Sequence, residues 1–345
     1  MKRIPAASPT ATRAHELVTH LQSRFVSGLE QLAHSLNSTQ HFSPVEWFRD
    51  EGRHGGGVRY ETAAGELFGR GSVNVSQVHY DDDAEKKLGS ASAISTIIHP
   101  VNPLAPSVHI HISWTEMKDG SGYWRMMADL NPSNENTAHT ELFLAAMQKA
   151  APTQYDEAIA QGDRYFFIPV LDRHRGVAHF YLENYCTHDS EADFALAKTV
   201  GEAAIDTYVN IVTTTLANEK VAAKQQKSAQ LAYHTLYFFQ VLTLDRGTTT
   251  GLLVHDQNDI GIMGSLPAYV DRELLTSWVE RMPAPQDELL QALIAALADT
   301  SPAPVDEAVK KRLAAAVRKH YQNYPEAIHM QASGNTIPST VKNHR

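Results

Sequence analysis

The sequence is short of cysteine, of long apolar runs and of positive charge, and each shortage excludes a class of protein. Cys186 is its one cysteine, so no disulfide can form within the chain, which favours a reducing compartment. We expect a buried, inert thiol there, with a nucleophile as the alternative. No apolar run reaches the roughly 18 residues of a membrane span, and residues 1–13 lack the apolar core of a secretory signal. We therefore expect a cytoplasmic protein without a membrane span.

The charge balance is acidic. The 345 residues carry a formal net charge of −9, which argues against nucleic acid as a partner because phosphates need a basic face. An anionic ligand would have to be held by local Arg, Lys or His side chains. The hydrophobic share of 43% is that of a soluble globular protein.

The hydrophobic patterning predicts an α+β fold, with adjacent strands in an antiparallel sheet because no helices lie between them. The predicted elements are, in chain order, a helix over 12–36, strands over 58–62, 67–80, 93–99, 107–117 and 123–130, a helix over 136–149, strands over 164–169 and 176–184, a helix over 192–224, strands over 235–244, 251–254 and 260–266, and helices over 271–281, 286–297 and 305–321.

The strand over 107–117 is the most informative segment, because side chains alternate between the two faces of a sheet. The alternation separates an apolar set, Val108, Ile110, Ile112 and Trp114, from a polar set, His109, His111 and Ser113. Two imidazoles on one face suit metal binding, acid–base chemistry or the holding of an anion. A solvated polar face is the alternative.

Other residues could join this face. If the strands over 93–99 and 107–117 pair, His99 could approach His109, and His139 follows on a helix. Metal sites draw histidines from separated segments in this way, although a lone histidine is more often a packed or surface residue. The run Asp245-Arg246-Gly247-Thr248 is either a tight turn or the presentation of Arg246 to a carboxylate.

A series of short motifs is similar to that of one known family, the oxygen-dependent coproporphyrinogen-III oxidases. The matching motifs, over about residues 40–300, are Gly55-Gly56-Gly57, Ser72-Val73-Asn74-Val75-Ser76, Ile94-Ser95-Thr96-Ile97-Ile98-His99-Pro100, Asn102-Pro103-Leu104-Ala105-Pro106-Ser107-Val108-His109, Ala128-Asp129-Leu130-Asn131-Pro132, Tyr165-Phe166-Phe167, Arg175-Gly176-Val177, Asp245-Arg246-Gly247-Thr248 and Ser265-Leu266-Pro267. Each motif alone is weak, and the shared order carries the resemblance.

The resemblance implies a large antiparallel sheet flanked by helices on both faces, and a homodimer. It implies oxidative decarboxylation of two propionates of coproporphyrinogen III to vinyls, in haem biosynthesis. Dioxygen is the co-substrate, the tetrapyrrole is the partner, and no organic cofactor is expected. We expect three parts: a tail and helix over 1–40, the oxidase-like domain over 41–300, and a C-terminal helix and tail over 301–345.

The same resemblance assigns residues. His109 matches a proton donor, and Asp129 matches an aspartate that holds the pyrrole N–H groups. The expected ligands of a divalent metal, Mn or another, are His99, His109 and His139. The expected substrate-binding residues are Ser95, His111, Ser113, Arg175 and Arg246.

Several family positions differ in this chain. The N-x-R substrate motif of the family falls on His111-Ile112-Ser113, and its paired arginines fall on Tyr233-His234. Two alternatives therefore stay open. One is a porphyrin- or haem-binding relative without turnover, and the other is a metal-dependent enzyme that uses His99, His109 and His139 on a different small acid.

Overall fold

A computed structural model describes residues 1–218, 222–255 and 257–333. The strands are β1 (Ser43–Phe48), β2 (Gly55–Thr62), β3 (Phe68–His79), β4 (Leu88–Pro100), β5 (Ser107–Met117), β6 (Gly122–Asn131), β7 (Phe167–Ile168), β8 (Arg173–His174), β9 (Ala178–Tyr185), β10 (Tyr269–Val270) and β11 (Ala303–Pro304). Seven of them form one antiparallel sheet in the order β1-β2-β3-β4-β5-β6-β9, and β7 with β8 and β10 with β11 form short pairs.

Helices lie on both faces of this sheet, as predicted. They are α1 (Pro9–Ser35), α2 (Thr137–Ala150), α3 (Tyr155–Phe166), α4 (Ser190–Asn218), α5 (Lys224–Thr243), α6 (Arg246–Val254), α7 (Asp259–Ile262), α8 (Arg272–Ser277), α9 (Gln286–Ala296) and α10 (Glu307–Asn323). Within the described ranges, every helix is too short or too polar to span a lipid bilayer.

One face of the sheet is apolar and packs against α1 and α4. The buried stripe of α1 includes Leu17, Leu21, Phe25 and Leu29, whose spacing matches the helical period. It meets the fully buried Ile110 and Ile112 of β5 in one hydrophobic core. The alternation predicted for β5 is thereby confirmed, and it fixes the polar set on the opposite face.

The opposite face is covered by α5, α6, α7 and the turn over Met263–Ser265. A second hydrophobic core joins Ile97 of the sheet to α5 and to the C-terminal helices α8, α9 and α10. The cover is tied to α10 by Arg318, which donates from Nε to the Leu252 carbonyl of α6 and from Nη1 to Asp259 of α7. The cover of this face is thus bonded to α10.

The segment over 235–244 is a helix and not the predicted strand. Its Leu, Tyr, Phe and Val residues favour a strand by propensity, but a short apolar run is equally typical of a helix buried on all sides. The good helix formers of residues 224–232 precede it without a break, and Tyr237, Phe238 and Phe239 are almost completely buried. Packing on all sides therefore outweighs the intrinsic preference.

The predicted strands over 251–254 and 260–266 are also wrong. Asp245 begins α6 by accepting the Thr248 N–H on its side chain, and this N-cap makes a helix of the following residues. Residues 259–265 form α7 and a 3-10 turn.

Residues 164–166 end α3, and the predicted strand there is reduced to β7. Tyr165 and Phe166 favour a strand by propensity, but they lie at the end of the helix. From there, Tyr165 packs against Tyr181 of β9. The helix predicted over 192–224 corresponds to α4 and the start of α5, and its residues 219–221 lie outside the described residues, as do residues 334–345 of the expected tail.

Cys186 follows β9 directly and is exposed, so the expectation of a buried thiol is wrong.

Candidate active site

A cleft lies between the polar face of the sheet and the cover formed by α5, α6 and α7. Its two adjoining lobes measure about 210 and 230 Å³ and share His111, Arg125 and Gly247 among other residues. Together they reach the lower part of the range of roughly 300–1,000 Å³ that is typical of small-molecule sites. The floor of the first lobe consists of Ser72, Asn74, Ser76, Ser95, His109, His111, Arg125 and Met127.

His109 is held by a buried carboxylate. Its Nδ1 lies 3.1 Å from Asp129 Oδ1, directly across the β5–β6 pair. Asp129 is completely buried, and its Oδ2 accepts from Arg175 Nη2 at 2.7 Å and from the side-chain amide of Asn131. Arg175, Asp129 and His109 thus form a chain of hydrogen bonds that leads from the protein interior to the cleft.

The charge of Asp129 decides the tautomer of His109. Burial alone would raise the pKa of Asp129, but the Arg175 guanidinium and the bonds from His109 and Asn131 hold that pKa well below its ordinary value. An ionised carboxylate is an acceptor only, so His109 Nδ1 must carry the proton. In a neutral imidazole, Nε2 is then the acceptor of a side chain that lines the cleft.

His111 contributes no charge to the cleft. Burial, followed by the nearby Arg125 and His109, lowers the pKa of His111 to about 3. Its Nε2 lies 3.0 Å from Ser113 Oγ, so the two form a neutral polar pair on the sheet. Any role in substrate binding is therefore that of a neutral hydrogen-bonding group.

The remaining predicted substrate-binding residues lie in or next to the cleft. Ser95 and Arg175 line the first lobe, and Ser113 lines the second. Arg175 is occupied by Asp129 and by Gln240, which accepts from its Nη1 at 2.6 Å. Arg246 is buried at the start of α6 and pairs with Glu183 of β9.

The comparison with protein families shows the family to which the chain belongs. The family model described as coproporphyrinogen III oxidase matches residues 13–295. The chain belongs to the coproporphyrinogen III oxidase family. Its fold, with a seven-stranded antiparallel sheet packed against helices, is that of the family, and the family uses dioxygen without an organic cofactor.

The relatives are distant. The mitochondrial oxygen-dependent coproporphyrinogen-III oxidase of Rattus norvegicus is 27% identical over 308 residues, covering 82% of this chain and 66% of the rat protein. The oxygen-dependent coproporphyrinogen-III oxidase of Rickettsia akari is 28% identical, covering 73% and 94%. That of Prochlorococcus marinus is 27% identical, covering 82% and 88%. The chain spans just under two thirds of the length of the rat protein.

The three histidines of the expected metal site do not come together. His139 Nε2 lies 3.4 Å from Thr215 Oγ1 of α4, the helix that packs on the apolar face of the sheet. His99 shares the polar face with His109, but it is buried, with Nδ1 2.8 Å from Ser107 Oγ and Nε2 3.2 Å from the Ser265 carbonyl. Among the described residues, no group of three His, Cys, Asp or Glu side chains could hold a metal ion. These residues do not fit the metal of the resemblance, nor a metal-dependent enzyme that would use them.

Sequence reasoning missed two charged residues that line the cleft, Asp245 and Arg125. Asp245 Oδ2 accepts from the Tyr165 hydroxyl at 2.8 Å, and the pKa of Asp245 is held low against the effect of burial by the Thr248 N–H and by nearby His109. The signal for Asp245 was its place before a Gly-Thr run, where an Asp is typical of a helix N-cap. Arg125 shares the polar face with His109 and His111 across the pair, which follows once the strand register is known.

Proposed function

We propose that this protein is an oxygen-dependent coproporphyrinogen oxidase that converts propionate arms of a porphyrinogen to vinyl groups. The observation that carries this proposal is His109, oriented by a buried carboxylate and lining a cleft in a chain of this family. The substrate, as the printed names of the relatives have it, is coproporphyrinogen III.

The chemistry asks for proton control beside an electron-rich ring. Each propionate anion takes up one proton and one dioxygen and gives a vinyl group, carbon dioxide and hydrogen peroxide. Of the four electrons in the broken C–H and C–C bonds, two form the second bond of the vinyl group and two reduce dioxygen to hydrogen peroxide. The protein needs to position the ring, to exchange protons near neutral pH and to exclude water.

His109 suits the proton exchange, because Nε2 is available as an acceptor while Nδ1 stays bound to Asp129. Asp129 is then a positioning residue, since its oxygens are occupied by His109, Arg175 and Asn131 and it is completely buried. Asp245 lines the cleft on the cover side and accepts one bond on each oxygen, from the Thr248 N–H and the Tyr165 hydroxyl, so it keeps acceptor sites for the pyrrole N–H groups that the resemblance gave to Asp129. Ser95 on the floor supplies a neutral hydroxyl.

The test is an aerobic assay of the purified protein with coproporphyrinogen III and mass analysis of the products. We expect products that have lost one and two carbon dioxide molecules with two hydrogens each. His109→Gln should lower kcat by about 10² to 10⁴, the range of a general acid–base residue. A wild-type protein that is folded and consumes no substrate would refute the proposal.

A second function is favoured by the uncharged groups at the family's arginine positions. Tyr233 and His234 lie on α5, and burial lowers the pKa of His234 to about 4, so both are neutral near pH 7. A tetrapyrrole-binding protein without turnover needs fewer carboxylate partners than the enzyme. Stoichiometric porphyrin binding, seen as a shifted Soret band without oxygen uptake, is its expected signature.

The resemblance also supports a homodimer as the working form. Sedimentation equilibrium at micromolar concentration tests the dimer, and a mass of about one chain would refute it.

A further inference from the structure

The first observation is a cross-strand pair. Arg125 of β6 lies directly opposite Ser113 of β5, and both side chains are on the polar face of the sheet. Directly opposed residues have Cβ atoms about 4.5–5.5 Å apart, so an arginine on one strand can reach the space of a side chain on the other. The resemblance puts the family's substrate arginine at the position of Ser113. In this chain, the arginine therefore lies on the neighbouring strand, directly opposite that position, as Arg125.

The second observation is the environment of Arg125. Among the described residues, Arg125 is the one cationic side chain that lines both lobes of the cleft. Arg175 lines only the first lobe, and its guanidinium already donates to Asp129 and Gln240. Burial opposes the charge of Arg125, but nearby Tyr181 and Glu183 keep the pKa of Arg125 above its ordinary value. Arg125 is therefore a permanent cation in the cleft wall.

The third observation is that its donors are poorly used. Arg125 Nη2 donates to Glu183 Oε1 over a long 3.2 Å, and Arg246 donates to that same oxygen. Arg125 Nε is buried and has no hydrogen-bond partner. A buried donor without a partner is costly, and guanidinium N–H groups match a carboxylate in geometry.

We propose that Arg125 binds a propionate carboxylate of the tetrapyrrole, and that it has taken over, from the neighbouring strand, the function of the arginine missing at position 113. The inference rests on the proposed substrate class and not on turnover. Asp245 and His109 line only the first lobe and offer acceptors to ring N–H groups, whereas Arg125 lines both lobes and takes a carboxylate. Ser113 and the neutral His111 leave room and add hydrogen bonds without competing charge.

The test measures binding, so that it does not depend on catalysis. Coproporphyrin III and its tetramethyl ester are titrated into wild type, Arg125→Gln and Arg125→Lys, followed by the Soret band. We expect wild type to bind the acid more tightly than the ester, and Arg125→Gln to weaken only the acid, by about tenfold to a hundredfold for one lost charge-assisted contact. Arg125→Lys should lose less. Arg24→Gln, on the far side of α1, is the matched control, since Arg24 pairs with Asp206 of α4 away from the cleft.

The swap Ser113→Arg with Arg125→Ser should restore acid binding, because it returns the cation to the other strand. Far-UV circular dichroism checks that each variant is folded. If Arg125→Gln does not fold, wild type alone decides by the salt dependence of acid against ester binding, which should be steeper for the acid. An unchanged affinity for the acid in folded Arg125→Gln, or equal binding of acid and ester by wild type, would overturn the proposal. An inactive enzyme that still shows the Arg125-dependent preference would refute only the oxidase.

Discussion

We expect Asp129 and Arg175 to be strongly coupled in their contributions to the free energy of unfolding. Both side chains are buried, at 0% and 1% exposure, and Nη2 lies 2.7 Å from Oδ2. Asp129→Asn removes the countercharge and leaves Arg175 in a site from which water is excluded. Breaking a buried pair on one side costs about 3–5 kcal/mol, because an unpaired charge stays inside. We expect this loss for Asp129→Asn and for Arg175→Met.

The double variant separates pairing from packing. With both charges gone, its loss should be at least about 2 kcal/mol smaller than the sum of the single losses, within the range of coupling between contacting residues. The assay is equilibrium unfolding in urea, followed by circular dichroism at pH 7. The control cycle uses Arg24 and Asp206, which make two bonds of 2.7 Å but are 40% and 52% exposed. An exposed pair is worth about 0.2–1 kcal/mol.

If the coupling energy between Asp129 and Arg175 is no larger than that between Arg24 and Asp206, charge pairing does not hold Asp129 in place beside His109. The orientation assigned to His109 would then lose its support. The same variants also have a pH signature. The lowered pKa of Asp129 adds stability that is present above the ordinary pKa of an aspartate and is lost as the pH falls below it.

Three further predictions concern stability. His234 has a pKa of about 4 in the folded protein, against 6.5 when unfolded. The free energy of unfolding should therefore fall as the pH drops from about 6.5 towards 4, by up to roughly 3 kcal/mol. His234→Gln should make this pH dependence weaker in urea titrations at several pH values. Asp245→Ala should cost about 1 kcal/mol by removing the N-cap of α6, whereas Asp245→Asn keeps a capping oxygen and should cost clearly less in thermal unfolding; equal losses would contradict the capping role. Gly162→Ala should destabilise the protein by about 1–3 kcal/mol although residue 162 lies in a helix, because a Cβ there would come within 2.7 Å of the His179 backbone carbonyl oxygen. Gly69→Ala is the control and should not destabilise the protein, since its Cβ would have no atom nearer than 3.8 Å.

The sheet could be predicted from the sequence because its signal is local. The period-two alternation of β5 puts His109 and His111 on one face whatever covers them, and the motif order of the family supplied the rest. The cover could not be predicted in the same way. Residues 235–244 are mostly apolar and their pattern shows no clear period. Only their burial between the sheet and the C-terminal helices fixes a helix.

The sequence also could not show which of the candidate side chains come together in space. The resemblance assigns His99, His109 and His139 to one metal site, but the sequence does not say on which side of the sheet a following helix lies. The contact of His139 with Thr215 on the apolar side is therefore visible only in three dimensions. Arg125 was missed for a related reason, since its importance depends on register with Ser113 and not on any motif of its own.

The bonds from Arg318 to α6 and α7 reach across the boundary of the family match, which ends at residue 295. The helix α10 lies after the matched residues, yet it is bonded to two of the helices that cover the cleft. A chain cut before α10 would keep the strands that carry His109 and Arg125 and would lose these bonds to α6 and α7. We therefore expect the packing of α6 and α7 over the cleft to depend on residues that follow position 295.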